Sequence, residues 1–372
     1  MRAPAAIPMS EFDFIDQLRR QTESRKLSPR LIKGIGDDAS VIRQAANRDL
    51  VVTTDLLIEN IDFIRDATPA RLLGHKALAV SLSDIAAMGG RPCWSFLSIG
   101  MPREIWSASF KDEFMAGFFA LADRFGVTLA GGDVSETKQE VVVDFVVLGE
   151  VASGRAVLRS GARVGDQIYV TGNLGGAAAG LKLVKLGARV SEPGAVATGS
   201  SGTSIVSESF SSEASRATGS SDARDEQAIQ SLLLRQLQPE PRVGWGIVLG
   251  EEHLATSMID LSDGLSSDLH HLCRESKVGA LIEASSIPLD EDVRHLCGRR
   301  ALDPLALALH GGEDFELLFT VAPENASRLP KRVDGVAVSR IGEITSDLRS
   351  VRVREKNHEW HLSPTGFQHF ST

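Results

Sequence analysis

The chain has 372 residues, 42% of them apolar and 24% charged, an ordinary balance for a globular protein. Its length exceeds one common core and points to two domains, and its net charge of −9 argues against nucleic acid as a partner. Three cysteines, Cys93, Cys273 and Cys297, form no CxxC pair, which argues for a reducing cytosol and against a zinc site. The start, "MRAPAAIPMSEF", carries no apolar run of signal-peptide length. The oily stretch "EVVVDFVVLGEV" is interrupted by Asp144 and is too short to span a bilayer. The expectation is a cytoplasmic protein with no membrane partner.

In chain order, "KGIGDDAS" (33–40) places Asp37 and Asp38 behind two glycines. Glycine loops bring backbone close to ligands, and most of them cradle phosphate, which adjacent carboxylates repel. "LVVTTD" (50–55) reads as a strand ending on an acid. Thr68 as N-cap and Pro69 at the first position begin a helix that runs through "ARLLGHKALAVSLSDIAAM" and stops at Gly89-Gly90. A second helix covers roughly 107–125, and "VTLAGGD" and "EVVVDFVVLGEV" read as strands. A turn then leads into "QIYVTG", the first strand of a second domain, followed by the small-residue helix "GGAAAGLKLVKLG". Residues 190–226 are rich in Ser, Gly, Ala and Thr and read as a disordered insertion, unable to bury enough surface to offset ordering entropy. "IDLSDGLSSDLHHL" reads as strand, turn and helix, with Leu265, Leu269 and Leu272 on one face, and "HGGEDFELLFTV" as a turn into a strand.

The acids fall at informative places. Asp55 and Asp133 end strand-like runs, and Asp260 and Asp263 bracket a strand end and a helix start, where α/β proteins place ligands. Asp84 lies on a helix that is apolar nearly all round, a costly position for a lone carboxylate. Each has a plain alternative. Asp55 suits a turn, Asp84 could pair with Lys76, Asp263 suits a helix first turn, and Asp37-Asp38 suits a surface turn. Taken together, isolated acids at glycine- or threonine-marked strand ends suit hard cations such as Mg²⁺, and a cation between carboxylates and phosphate would cancel their repulsion. No P-loop and no protein-kinase motif set is present. "GNLGGAAAG" (172–180) suits close helix packing or phosphate contact.

"GIGDDASVI", "TTDLLIENIDF", "GHKALAVSLSDIAAMGGRP", "AGGD", "LRSGARVGDQIYVTG", "IDLSDGLSSDL" and "HGGEDFELLFTV" in this order resemble the bacterial thiamine-monophosphate kinases. These belong to the aminoimidazole-ribonucleotide-synthetase-like ATP-binding superfamily. The resemblance spans nearly the whole chain outside the Ser-rich stretch. It implies an α/β (α+β) fold of two domains, 1–150 and 151–372. The N-terminal halves would pair into a homodimer, and the C-terminal half would complete an ATP cleft. It also implies a metal set of Asp38, Thr53, Thr54, Asp55, Asp84, Asp133, Asp260 and Asp263, for several Mg²⁺ ions. ATP contacts would come from Gly132, Asp133, Arg159 and Ser262, and substrate contacts from Glu313 and Phe367. One position departs from the family. Where it places a substrate histidine, this chain reads "NIDF", so that Asp62 takes the substrate position.

The implied reaction converts ATP and thiamine monophosphate to ADP and thiamine diphosphate. The acceptor is a phosphate whose second pKa is about 6, so it needs no general base. His75, His270 and His271 are then structural or solvated. Two other readings stand beside this one: a sister enzyme that activates a different acceptor with ATP, and a non-catalytic nucleotide sensor.

Overall fold

The computed structural model describes residues 20, 31–34, 36–44, 47–106, 109–191, 219–300, 302–348 and 350–367. A six-stranded sheet dominates the first half. Its strands are β1 (Leu31–Lys33), β2 (Ser40–Arg43), β3 (Arg48–Ile58), β4 (Arg91–Met101), β5 (Thr128–Glu136) and β6 (Val142–Ala152), in the order β1-β2-β3-β6-β4-β5. β3 and β6 are long, alternating runs rich in β-branched residues, and β4 is a long alternating run carrying Trp94 and Phe96. The three pair antiparallel, and β5 adds parallel to β4 at the edge. Two helices cover the inner face, α1 (Ala70–Ala87) and α2 (Phe110–Phe125). They approach so closely that a Cβ on Gly74 would sit 1.9 Å from the Phe114 carbonyl oxygen, so only glycine fits there.

The second half begins with β7 (Gln167–Thr171) and α3 (Gly176–Lys185). After the undescribed stretch come α4 (Gly219–Leu237), α5 (Val243–Glu251), β8 (Ala255–Asp260), α6 (Leu265–Ser276) and β9 (Gly279–Glu283). The chain continues through α7 (Glu291–Arg300), α8 (Pro304–His310) and β10 (Leu317–Val321). It ends on β11 (Arg332–Val333), β12 (Val336–Thr345), β13 (Val351–Glu355) and β14 (His358–His361). The second sheet runs β14-β13-β9-β12-β7-β10-β8, with β11 on β12. Leu265, Leu269 and Leu272 of α6 are buried against it, as their spacing predicts.

The two halves share a core. Trp245, Met258 and Phe319 of the second pack in one cluster with Leu82, Ile85 and Met88 of α1. This makes α1 a central helix, buried from Leu73 to its end except at Asp84. Burial on all sides explains why its sequence is apolar all round. A polar anchor lies beside the seam. Glu316, 1% exposed, accepts 2.6 Å bonds from Arg242 Nε and from Thr171 Oγ1. Removing one partner of a buried ion pair leaves an uncompensated charge, so Arg242→Met should cost about 3–5 kcal/mol in urea unfolding. A loss under about 1 kcal/mol would show that solvent reaches Glu316.

Several local expectations need correction. α1 begins one residue later than expected. Pro69, extended at ψ 137°, takes the N-cap position, and Thr68 lies outside it. The "TTD" and "AGGD" strands continue past Asp55 and Asp133, to Ile58 and Glu136. The second helix starts at Phe110, after a one-turn helix, Arg103–Trp106. The expected disordered insertion at 190–226 lies largely outside the described residues, but its last part is helical, because α4 starts at Gly219. Ion pairs tie this end to α7, from Arg224 to Asp292 at 2.6 Å and from Asp225 to His295 at 2.7 Å.

Candidate functional site

Three carboxylates from three elements and both halves converge at the seam. Asp38 follows the glycine loop before β2, Asp84 is on the last turn of α1, and Asp260 ends β8. One carboxylate oxygen of each lies within 4.8 Å of the others. Asp84 is the one residue between Leu73 and Gly90 that is only half-buried. Hydroxyls face the acids: Thr53 donates to Asp84, Ser83 to Asp260 at 2.6 Å, and Ser81 to Asp55 at 2.7 Å. Arg159 donates to both oxygens of Asp38, through Nε at 3.1 Å and Nη2 at 2.8 Å. Its backbone N–H bonds Asp37 at 3.1 Å, and Lys33 pairs with Asp37 at 3.0 Å. The Asp37-Asp38 loop is therefore no surface turn, since Asp38 is buried.

This packing of charge is electrostatically costly. Burial pushes Asp84 well above the usual carboxylate range, and Asp55, Asp260 and Asp38 push it further. Asp260 is raised in the same way, by burial and then by Asp38. Asp55 rises to about 6, chiefly from burial, against the bond from Ser81. Asp37 also rises to about 6, from burial and its neighbour Asp38. Burial works against the Arg159 charge, but Asp38 and Asp37 hold the guanidinium firmly protonated. Oxygen-only donors and crowded, unfavourable negative charge match the chemistry of a hard divalent cation.

The remaining expected site residues fall into two further groups. Thr54 points to the opposite face of the sheet from Thr53 and donates to Asp144 at 2.7 Å. Asp133 is exposed on the edge strand. Through direct strand pairing it shares a row with Ser98 and Asp144, on the same outer face as Thr54. Thr54 and Asp133 thus stand apart from the seam cluster. Gly132 beside them has φ 156°, and a Cβ there would lie 1.9 Å from the Leu97 carbonyl oxygen.

The second group surrounds the start of α6. Glu313 N–H donates to the Ser262 carbonyl at 2.8 Å, and Phe367 N–H to the Asp263 carbonyl at 3.2 Å. These bonds bring Ser262, Asp263, Glu313 and Phe367 together. The Glu313 carboxylate pairs with Lys76 of α1 at 2.7 Å and accepts from Gln236. Lys76 is therefore committed to Glu313 and is not the partner of Asp84. Asp62 accepts a 2.8 Å bond from the Ile58 N–H, which closes the turn after β3. His75 bonds the Pro239 carbonyl at 2.8 Å and His270 the Ser266 carbonyl at 2.6 Å. Burial drives His271 down to about 3, so all three are neutral structural groups.

Sequence reasoning passed over four residues. Asp268 accepts from the N–H groups of Asp263 and Gly264, at 3.2 and 3.0 Å, and holds the start of α6. Ser81 and Ser83 serve Asp55 and Asp260, and Ser276 Oγ donates to the Arg159 carbonyl at 2.8 Å. A possible signal for the serines was a pair of hydroxyls within an apolar helix, where alanine is favoured.

Residues 36–151 match the family model described as AIR synthase related protein, N-terminal domain, and residues 163–354 match its C-terminal domain. The chain is 35% identical to thiamine-monophosphate kinase of Escherichia coli strain K12, over 97% of this chain and 98% of the relative. It is 32% identical to that of Buchnera aphidicola subsp. Schizaphis graminum, over 97% and 99%. Among solved structures, AaThiL complexed with AMPPCP and TMP superposes with a TM-score of 0.77 at 26% identity, covering 100% and 99% of the two chains. Thiamine-monophosphate kinase from Stenotrophomonas maltophilia K279a gives 0.68 at 35% identity, covering 94% and 98%. Two AIR-synthase-type domains spanning the chain and full-length kinase relatives above 30% identity agree: the chain belongs to the thiamine-monophosphate kinase family.

Proposed function

We infer that the chain phosphorylates thiamine monophosphate to thiamine diphosphate with ATP, by direct transfer at the seam between its two halves. The convergence of Asp38, Asp84 and Asp260 beside Arg159 carries this reading, because ATP chemistry needs a place where phosphate charge is offset. The AaThiL complex with AMPPCP and TMP supports the same pair of ligands.

The donor set fits Mg²⁺. Asp38, Thr53, Asp55, Asp84 and Asp260 would hold it at the seam, with Asp263 beside them. Thr54 and Asp133 lie on the outer face, on β3 and β5 with two strands between them, and do not converge on one ion. When bound, Mg²⁺ supplies neutralisation of the phosphate oxygens. The chain's own residues position the reactants. Arg159 is fixed by Asp38 through Nε and Nη2, which leaves Nη1 as the edge for a phosphate oxygen. Ser262, Gly132 and Asp133 are assigned to ATP. Glu313, held by Lys76 and Gln236, is assigned with Phe367 and Asp62 to the acceptor. The acceptor phosphate is already anionic near neutral pH, so no side chain need remove a proton. Free thiamine, whose hydroxyl needs a base, should turn over poorly, and an ADP-release assay comparing it with thiamine monophosphate tests this.

Proton and metal compete for the same oxygens. An acid with a raised folded pKa favours the folded state at low pH and loses that contribution as pH rises. For Asp55 the loss falls between 3.8 and about 6, and for Asp84 and Asp260 it extends higher. The Mg²⁺-induced rise in melting temperature should therefore be large at pH 8 and shrink steeply by pH 5.5. Comparing samples with and without metal at each pH cancels the titration of the histidines. An equal rise at both values would contradict the carboxylate cluster as the binding site.

The outer face of the first sheet exposes Trp94 and Phe96 side by side on β4, with Leu56 two strands away across the Asp144 row, and we assign this face to a homodimer. Sedimentation of a single 40-kDa species at micromolar concentration would count against this; the chain mass is 39.9 kDa. Among the described residues no helix is long and apolar enough to cross a membrane, and we place the enzyme in the cytoplasm, beside its nucleotide.

A further inference from the structure

We propose that Ser81 and Ser83 are positioning residues, whose hydroxyls orient Asp55 and Asp260 for the cation and lock the two halves of its site together. The proposal rests on the metal reading above. Three observations support it. First, both serines are fully buried in a helix interior, where serine is less favourable than alanine and a buried hydroxyl must find a partner. Such hydroxyls commonly bond back to their own helix. Here each donates instead to a carboxylate on another element, Ser81 to Asp55 Oδ2 at 2.7 Å and Ser83 to Asp260 Oδ2 at 2.6 Å.

Second, the helix geometry suits this task. At about 100° per residue, Ser81 lies about 60° to one side of Asp84 and Ser83 about 100° to the other. One helical turn therefore reaches β3 on one flank and β8 on the other, with Asp84 between them. Third, Asp55 belongs to the first half and Asp260 to the second, so the Ser83 bond crosses the seam. A donor on one oxygen of a carboxylate fixes its rotation and leaves the other oxygen to face a cation. Partners of this kind are worth about 10–100-fold in metal affinity.

The test titrates Mg²⁺ alone into the full chain and follows melting temperature, in wild type, Ser81→Ala and Ser83→Ala. Ser83→Cys, close in size with a weak donor, guards against misfolding of the alanine variant. The expected result is a thermal-shift midpoint moved to about tenfold higher Mg²⁺ in each alanine variant, with Ser83→Cys between them and wild type. The Mg²⁺ concentration for half-maximal rate should move in parallel, while KM for thiamine monophosphate stays within about twofold. A lower metal-free melting temperature with unchanged Mg²⁺ midpoints would overturn the proposal alone, because the hydroxyls would then be structural. No Mg²⁺ response in wild type would overturn the metal reading, and this proposal with it.

Discussion

Asp84→Asn should lower turnover with ATP and thiamine monophosphate at least about 10²-fold while the chain still folds. The variant keeps the shape of the side chain and removes its charge. In the metal-free protein that charge is poorly tolerated: burial comes first, and Asp55, Asp260 and Asp38 add repulsion. The melting temperature without metal should therefore rise, while the Mg²⁺-induced increase should largely vanish. Opposite movements of stability and activity are the signature of a residue kept for binding rather than for folding. Circular dichroism melts with and without Mg²⁺, alongside initial rates, read both. Full activity in Asp84→Asn would remove α1 from the metal site.

Arg159→Met should act on both properties in the same direction. Its guanidinium contributes both bonds to Asp38, whose side chain has no solvent exposure. Deleting a partner of a buried pair costs about 3–5 kcal/mol, and added Mg²⁺ should restore part of it by standing near Asp38. Losing a donor aimed at phosphate should lower kcat/KM by about 10²–10³. Arg159→Lys separates the two effects. It keeps the charge and so most of the stability, but it loses the two-pronged geometry and should remain slow. Wild-type rates in Arg159→Lys would show that the charge alone matters.

Much of this was legible before the structure, for identifiable reasons. Asp84 stood out because a carboxylate on an all-apolar helix has no cheap local explanation. The Lys76 alternative could be weighed by geometry: eight residues at about 1.5 Å each set the two groups about 12 Å apart along the axis. Instead Lys76 meets Glu313, a contact between distant parts of the chain that no local pattern encodes. The division of Thr53 from Thr54 was also available, since adjacent strand residues face opposite ways and "TTD" cannot present all three side chains to one site. The row joining Asp133 to Asp144 required knowing that β6 and β4 lie between β3 and β5. Sheet order is a property of the whole fold. The same holds for the start of α4. Its Ser- and Gly-rich sequence suggests disorder, and its anchors, Asp292 and His295, lie about seventy residues away. The bond that Asp62 accepts from the Ile58 N–H escaped because it shows only in the folded turn.

The central claim is phosphoryl transfer from ATP to thiamine monophosphate at the carboxylate seam. The direct measurement incubates the purified chain with ATP, Mg²⁺ and thiamine monophosphate and quantifies ADP and thiamine diphosphate together. The account predicts one thiamine diphosphate for each ADP, with no phosphorylated enzyme accumulating. No ADP above background with thiamine monophosphate, from a chain that releases ADP with another phosphate or carboxylate acceptor, would contradict it.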